Sequence, residues 1–489
     1  MNNKSMLAIF LIVCFLILPI LLAGQYYIDD MGRATRGYMW WGLDGRPASD
    51  FMMSKLMFSK NMVDIFPLPL IIGATALACS MYMFYLKYIK AGMGGVLIVA
   101  CYMISPSTPE ILSYRFDSLP LLLSISIPLI VISFKDQGKL IEFVVGSVLC
   151  CVVFCIYQAS VNLLVICFII ECTARMWLGF GLAESLIRLA LRAVQISVAA
   201  VVYMKLILPL TFSGDHSANH PAMESSDILT RVISNANEYY NFLDVRFFNG
   251  SLLIFILAVF VISFTSSVFL ILNARRNVVD SPVSIWLSSA FLALSPFVVV
   301  MFSLGVVLTL QNSMTYFSRL YLGIGGVSLY TAFCFHLLCK QFKLNLLNYA
   351  VAIPMLYLFV YIYSFGVASK AQSEYTSTII NDIRIKTDDL SFDYFVFAGR
   401  YAKSPVLINS EKNFPIFKFN IPNYFYNWYW PYKRFEMDGL TLKKQPSKDI
   451  VSESLSNMCS SRLVSKGKRF DLYLYKNVLI VDFDLSCKN

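Results

Sequence analysis

The stretch Leu252-Leu253-Ile254-Phe255-Ile256-Leu257-Ala258-Val259-Phe260-Val261-Ile262-Ser263-Phe264-Thr265-Ser266-Ser267-Val268-Phe269-Leu270-Ile271-Leu272 contains no charged side chain and is followed at once by Asn273-Ala274-Arg275-Arg276. A helix of this length extends about 31 Å at roughly 1.5 Å per residue, enough to cross a hydrocarbon core about 30 Å thick. Comparable apolar runs occupy 6–22, 65–86, 91–104, 118–133, 140–157, 161–177, 186–210, 283–310, 321–338 and 347–367, so the sequence predicts about eleven spans. Run 91–104 is short and run 118–133 carries Pro120 and Pro128, so these two are expected to be bent, broken or partly re-entrant. The first run follows Lys4 without a small-residue cleavage site and is expected to be a retained helix. Of 489 residues, 57% are hydrophobic and 14% charged, with mean hydropathy +0.64. A soluble chain carries about 25% charged residues, so that class is excluded.

The net charge of +10 would suggest a nucleic-acid partner in a soluble protein. Here the basic residues sit mostly between apolar runs, where they set orientation. Lys87 and Lys90, Lys135 and Lys139, Arg175 and Arg188, Arg275 and Arg276, and Lys340 and Lys343 mark every second connection as cytoplasmic. The alternate connections, 25–64, 105–117, 158–160, 211–248 and 311–319, and everything after 368, then face outward, with the N-terminus cytoplasmic. Arg33, Arg36, Arg46, Lys55 and Lys60 in the first outward loop run against that rule, so another role must hold them there.

The expected domains are a membrane part, 1–368, and an outward α+β part, 369–489, whose composition turns polar, aromatic and basic. Segments 470–475 and 478–483 have strand character and enclose a Lys476-Asn477 turn, and 405–408 is a further candidate strand. Ten of the twelve cysteines lie in or beside apolar runs, where the thiol acts as a small hydrophobe. Cys459 and Cys487 are the pair in the polar tail, and an oxidising compartment would join them. No metal-ligand spacing stands out: His216 and His220, near Asp215 and Glu224, are four apart, but Pro221 argues for a loop there. No metal and no cofactor is expected.

Chemistry concentrates in the first outward loop, Asp29-Asp30-Met31-Gly32-Arg33 followed by Gly37-Tyr38 and Trp41-Gly42-Leu43-Asp44-Gly45-Arg46-Pro47. A carboxylate beside apolar walls and a second carboxylate is raised in pKa, which suits a general base. The arginines offer donors to a phosphate. Asp30 is preferred as base because Arg33, three residues on, would share its helix face, and Asp29 would then orient the acceptor or tune the base. Asp44 and Glu110 are the next candidates. Segment 48–60 reads as an amphipathic helix on the membrane boundary. Arg115 and Arg319 stand at the outer membrane level, where intramembrane charge defaults to function, and are expected to bind a phosphate with Arg33; a pair of Arg115 with Asp117, or a snorkelling arginine, is the alternative. Asp44, Arg46 and Glu110 are candidates for acceptor contact or support. So are Trp428 and Trp430, in an aromatic cluster over 414–432 that could stack on sugar rings or form a core.

The DDxGR element with its downstream DGRP, behind one short helix and ahead of about ten further spans, resembles the opening of the serotype-converting O-antigen glucosyltransferases of temperate phages. The overall plan is similar to the GT-C class of membrane glycosyltransferases. The resemblance implies an inner-membrane, multi-pass enzyme with a periplasmic C-terminal domain. Its donor would be undecaprenyl-phosphate glucose, supplied by a companion polyprenyl-phosphate glucosyltransferase and a small flippase. Its acceptor would be a sugar hydroxyl of lipid-linked O-antigen, glucosylated with inversion and without a metal. A different polyprenyl-phosphate sugar donor, an O-antigen polymerase and a lipid flippase are the alternative readings. The last two leave the Asp29-Asp30 pair without an explanation.

Overall fold

The computed structural model describes residues 3–134, 138–213, 227–276, 281–400, 403–440 and 445–487. Among them, eight helices are long and apolar enough to cross a membrane: Lys4–Ala23, Leu68–Ile89, Gln158–Trp177, Leu182–Thr211, Leu252–Asn273, Pro282–Met301, Ser318–Gln341 and Asn345–Lys386. Gly92–Met103, Ser118–Ser133 and Leu140–Ile156 are apolar but shorter. The eleven together fall on the eleven apolar runs. Ser118–Ser133 is one continuous helix and not a broken pair. Pro120 lies in its first turn, where the missing N–H leaves no bond unmade, and only Pro128 interrupts the interior.

The chain forms two compact units. One comprises Met1–Leu21, Met39–Lys60 and Ile65–Tyr363, the other Leu22–Tyr38, Asn61–Asp64 and Ser364–Asn489. The first outward loop is thus shared: the acidic pair belongs to the smaller unit and the DGRP segment to the larger.

In the larger unit, segment 48–60 forms the helix Pro47–Met57, with Pro47 at its first position and Phe51 exposed. A cavity of about 800 Å³ is lined by apolar side chains, among them Ile104, Phe255, Ala258, Ile324, Phe335 and Pro354.

In the smaller unit, strands β1 (Tyr394–Ala398), β2 (Arg462–Ser465), β3 (Asp471–Tyr475) and β4 (Val478–Asp482) form a sheet of order β1-β4-β3-β2. β3 and β4 are the hairpin expected from sequence: Tyr475 pairs with Val478 across the turn, and Lys476 takes φ 52° there. β1 runs parallel to β4. Alternation along the strands sends Phe395, Phe397, Leu472, Leu479 and Val481 to one face, against Ile379 and Ile383 of the helix Ala352–Lys386 and Phe435. Val396, Tyr473 and Ile480 pack on the other face with Met458 and Cys487. Segment 405–408 is not a strand. It opens the helix Pro405–Asn413, in which Pro405 takes the first position and the Ser404 hydroxyl accepts the Leu407 amide at 3.2 Å. A capping serine ahead of Pro405 outweighs the β-branched character of Val406 and Ile408.

Candidate active site

In the smaller unit the chain turns sharply at Tyr27–Asp30. The Asp30 amide donates to the Tyr27 carbonyl at 3.0 Å, and the Asp30 carboxylate accepts the Tyr27 amide, also at 3.0 Å. The Tyr27 hydroxyl donates to the Asn420 carbonyl (2.8 Å) and the Ile28 amide to the Tyr424 hydroxyl (3.1 Å), so segment 420–424 fixes this turn. The helix Asp30–Arg36 follows. Asp30 is fully buried, 0% exposed, and its carboxylate serves the backbone.

Asp29 is placed differently. Its side chain is 30% exposed, its Oδ2 lies 3.8 Å from Arg33 Nη1, and its Oδ1 accepts the Trp430 indole N–H at 2.9 Å. Arg33 thus pairs with the carboxylate four residues back, one helical turn away. Its guanidinium lies 5.9 Å from the centre of the Tyr38 ring. A Cβ at Gly32 would meet the Tyr38 hydroxyl at 2.5 Å and the Tyr429 hydroxyl at 3.0 Å, so only glycine lets both phenols approach this helix. Burial and the neighbouring Tyr429 push the Tyr38 phenol above its ordinary pKa. Trp430 opens the helix Tyr429–Met437, and Trp428, just before it, is 52% exposed. One carboxylate open to solvent, one cation and exposed aromatic faces therefore occur together in this unit. Such a group can take a proton from a sugar hydroxyl and hold a sugar ring.

The larger unit carries two further clusters. In the first, Arg46 donates to Asp44 at 2.9 Å and lies 3.9 Å from Asp117, which also accepts the Trp41 indole N–H at 2.6 Å. Asp50 accepts the amides of Trp41 (3.1 Å) and Gly42 (2.5 Å). The Gly45 carbonyl receives Gln158 at 3.0 Å and the Tyr203 hydroxyl at 2.8 Å. Gly45 has φ +75°, and a Cβ there would meet that hydroxyl at 2.7 Å, which accounts for the glycine of the DGRP segment. In the second cluster, Glu110 accepts the Ser318 hydroxyl at 2.5 Å and the Arg319 amide at 2.8 Å, with the Arg319 guanidinium 3.9 Å away and bonded to the Tyr114 hydroxyl. Arg115 lays its guanidinium over the Phe66 ring at 4.7 Å.

The sequence-predicted residues of the two units therefore fall into three groups and one separate residue: Asp29, Asp30, Arg33, Trp428 and Trp430 in the smaller unit, Asp44 with Arg46 and Glu110 with Arg319 in the larger, and Arg115 against Phe66 in the larger. Sequence reasoning missed Asp117 as the acceptor for Trp41 and Arg46. It also missed a buried network at Glu142, Glu171, Arg188 and Arg192. Arg192 lies 2.7 Å from Glu171 and 3.2 Å from Glu142, and Arg188 pairs with both acids. In sequence Arg188 reads as a loop charge. Its four-residue spacing from Arg192, one face of a helix, was the available signal. His216 and His220 lie outside the described residues. Among the described residues, no group of three or more His, Cys, Asp or Glu side chains could hold a metal ion.

A family model described as Glucosyl transferase GtrII matches residues 18–309. The match takes in the acidic pair, Arg46, Glu110 and Asp117, and ends before Arg319 and the Trp428–Trp430 segment. The chain is also similar to an uncharacterized 55.3 kDa protein encoded in the gtrB 5′ region of Salmonella phage P22, at 32% identity over 167 residues, covering 33% of this chain and 34% of that protein. The chain thus spans about a third of the length of the curated relative it matches. No solved structure matches it.

Proposed function

The chain belongs to the Glucosyl transferase GtrII family of glycosyltransferases, and from that premise we propose that it transfers glucose from undecaprenyl-phosphate glucose to a sugar hydroxyl of lipid-linked O-antigen. Transfer takes place on the periplasmic face of the inner membrane, with the N-terminus cytoplasmic and residues 369–489 periplasmic. The alternating Lys and Arg of the connections support that orientation. The apolar cavity suits a hydrocarbon chain, which supports a lipid-linked substrate.

The observation that carries the reading is Asp29, a carboxylate open to solvent and held by Trp430 and Arg33. In this mechanism the acceptor hydroxyl gives its proton to Asp29. Its oxygen bonds to the anomeric carbon while the bond from that carbon to the phosphate oxygen breaks. The electron pair leaves with undecaprenyl phosphate, and a single displacement inverts the anomeric centre. Arg33 is the cation proposed for the phosphate beside Asp29, where charge grows as the bond breaks, and Arg115 and Arg319 are proposed as the donor-phosphate residues of the larger unit. Asp30 holds the turn that presents Asp29. Asp44, Arg46 and Glu110 support, and Trp428 offers its exposed face to the acceptor sugar.

The test is transfer in vitro. Purified enzyme given undecaprenyl-phosphate glucose and lipid-linked O-antigen is expected to form one glycosidic bond of inverted anomeric configuration. Transfer from a nucleotide sugar alone, or retention at the anomeric carbon, would overturn the proposal.

A further inference from the structure

The Trp430 indole nitrogen and the Asp29 carboxylate are 401 residues apart in sequence and 2.9 Å apart in space. Trp430 is at the start of the helix Tyr429–Met437, which packs on the helix Asp30–Arg36 within the smaller unit. An indole has one donor and no acceptor, so its N–H suits a carboxylate oxygen. The bond takes Oδ1, Arg33 stands off Oδ2 at 3.8 Å, and the Asp29 side chain is 30% exposed. Asp29 is therefore held from one side and accessible on another. That is the arrangement a base needs if its free lone pair is to meet an incoming hydroxyl in a fixed direction.

We infer that Trp430 is a positioning residue for glycosyl transfer: its indole N–H aims the Asp29 carboxylate at the acceptor hydroxyl, and its ring is not the sugar platform. This rests on the reading of Asp29 as the base. It separates two neighbouring tryptophans by role, since Trp428 is 52% exposed and free to meet a sugar ring, whereas Trp430 commits its polar edge to the acid. It also gives the C-terminal segment, which lies beyond the residues of the family match, a part in the chemistry.

The test replaces one atom. A full-length enzyme with benzothienylalanine at position 430 keeps the bicyclic ring but carries sulfur in place of the N–H, and Trp430→Phe serves as the genetic counterpart. The expected result is a fall in kcat of roughly 10- to 100-fold, the range for one hydrogen bond to a charged group, with KM for donor and acceptor unchanged. An unchanged kcat, or a raised acceptor KM at constant kcat, would overturn the inference, the second by making Trp430 the platform after all. A readout independent of turnover is hydrogen exchange of the indole N–H, assigned by its loss in Trp430→Phe. It should be slow in the parent and fast in Asp29→Ala. Exchange in the parent as fast as at Trp428 would reject the bond. An enzyme inactive with every polyprenyl-phosphate sugar, but with a protected indole that Asp29→Ala releases, would count against the proposed reaction and not against this pairing.

Discussion

The Arg319 amide donates to Glu110 Oε2 at 2.8 Å, and the same oxygen accepts the Ser318 hydroxyl at 2.5 Å. A side chain on the connection 105–117 thereby holds the backbone at the end of the connection 311–319, and the Arg319 guanidinium stays beside Tyr114. Glu110, buried at 2% exposure, accepts both of these donors from 318–319.

Glu110→Gln keeps shape and one acceptor oxygen, so expression should persist and the donor KM should rise as the negative charge beside the Arg319 guanidinium is removed. Arg319→Lys keeps charge but loses the planar fork, and should weaken donor binding by about tenfold, roughly 1.4 kcal/mol. Donor titrations of both variants check this. Unchanged donor dependence in Arg319→Lys and Arg319→Ala would remove Arg319 from the phosphate site.

The buried network makes a separate prediction about stability. Glu171→Ala removes the carboxylate 2.7 Å from Arg192 and leaves a buried guanidinium with less compensation. Breaking one side of such a pair costs about 3–5 kcal/mol, whereas replacing the whole set by apolar residues of similar volume is close to neutral. Thermal unfolding in detergent should therefore show Glu171→Ala strongly lowered, and a joint apolar replacement of Glu142, Glu171, Arg188 and Arg192 much less so. Equal losses would contradict the account.

In the smaller unit, Cys459 and Cys487 are joined, closing 28 residues with a Cα–Cα distance of 5.2 Å. A bridge across such a loop contributes roughly 2–4 kcal/mol. Mass spectrometry of unreduced membranes should find the linked peptides, and Cys459→Ser should lower the unfolding midpoint of the tail. Alkylatable thiols at both positions would contradict both the bridge and the oxidising compartment proposed for the tail.

The fold was legible wherever one local signal dominates. Uncharged runs such as 252–272 gave the helices, and Lys476-Asn477 between two β-rich segments gave the hairpin. Segment 405–408 reads as a strand on side-chain branching alone, whereas Ser404-Pro405 is the start signal of the observed helix. The acidic pair was legible too, but not which acid does what. The three-residue spacing of Asp30 and Arg33 suggests that pairing, and the structure adds contacts that the spacing does not display: Arg33 lies 3.8 Å from Asp29, and the Asp30 carboxylate accepts the Tyr27 amide. Trp430 beside Asp29 and Asp117 beside Trp41 join residues 401 and 76 positions apart, which no window of sequence displays.

The most direct test of the central claim compares Asp29→Asn with Asp30→Asn for transfer from undecaprenyl-phosphate glucose to lipid-linked O-antigen, at matched membrane expression. General-base catalysis is worth roughly 10²- to 10⁴-fold, so Asp29→Asn should lose that much kcat while remaining folded. Asp30→Asn, which still offers an oxygen to the Tyr27 amide, should lose far less. Near-full transfer by Asp29→Asn would contradict the account and move the base elsewhere, to Asp30 if that variant alone is inactive.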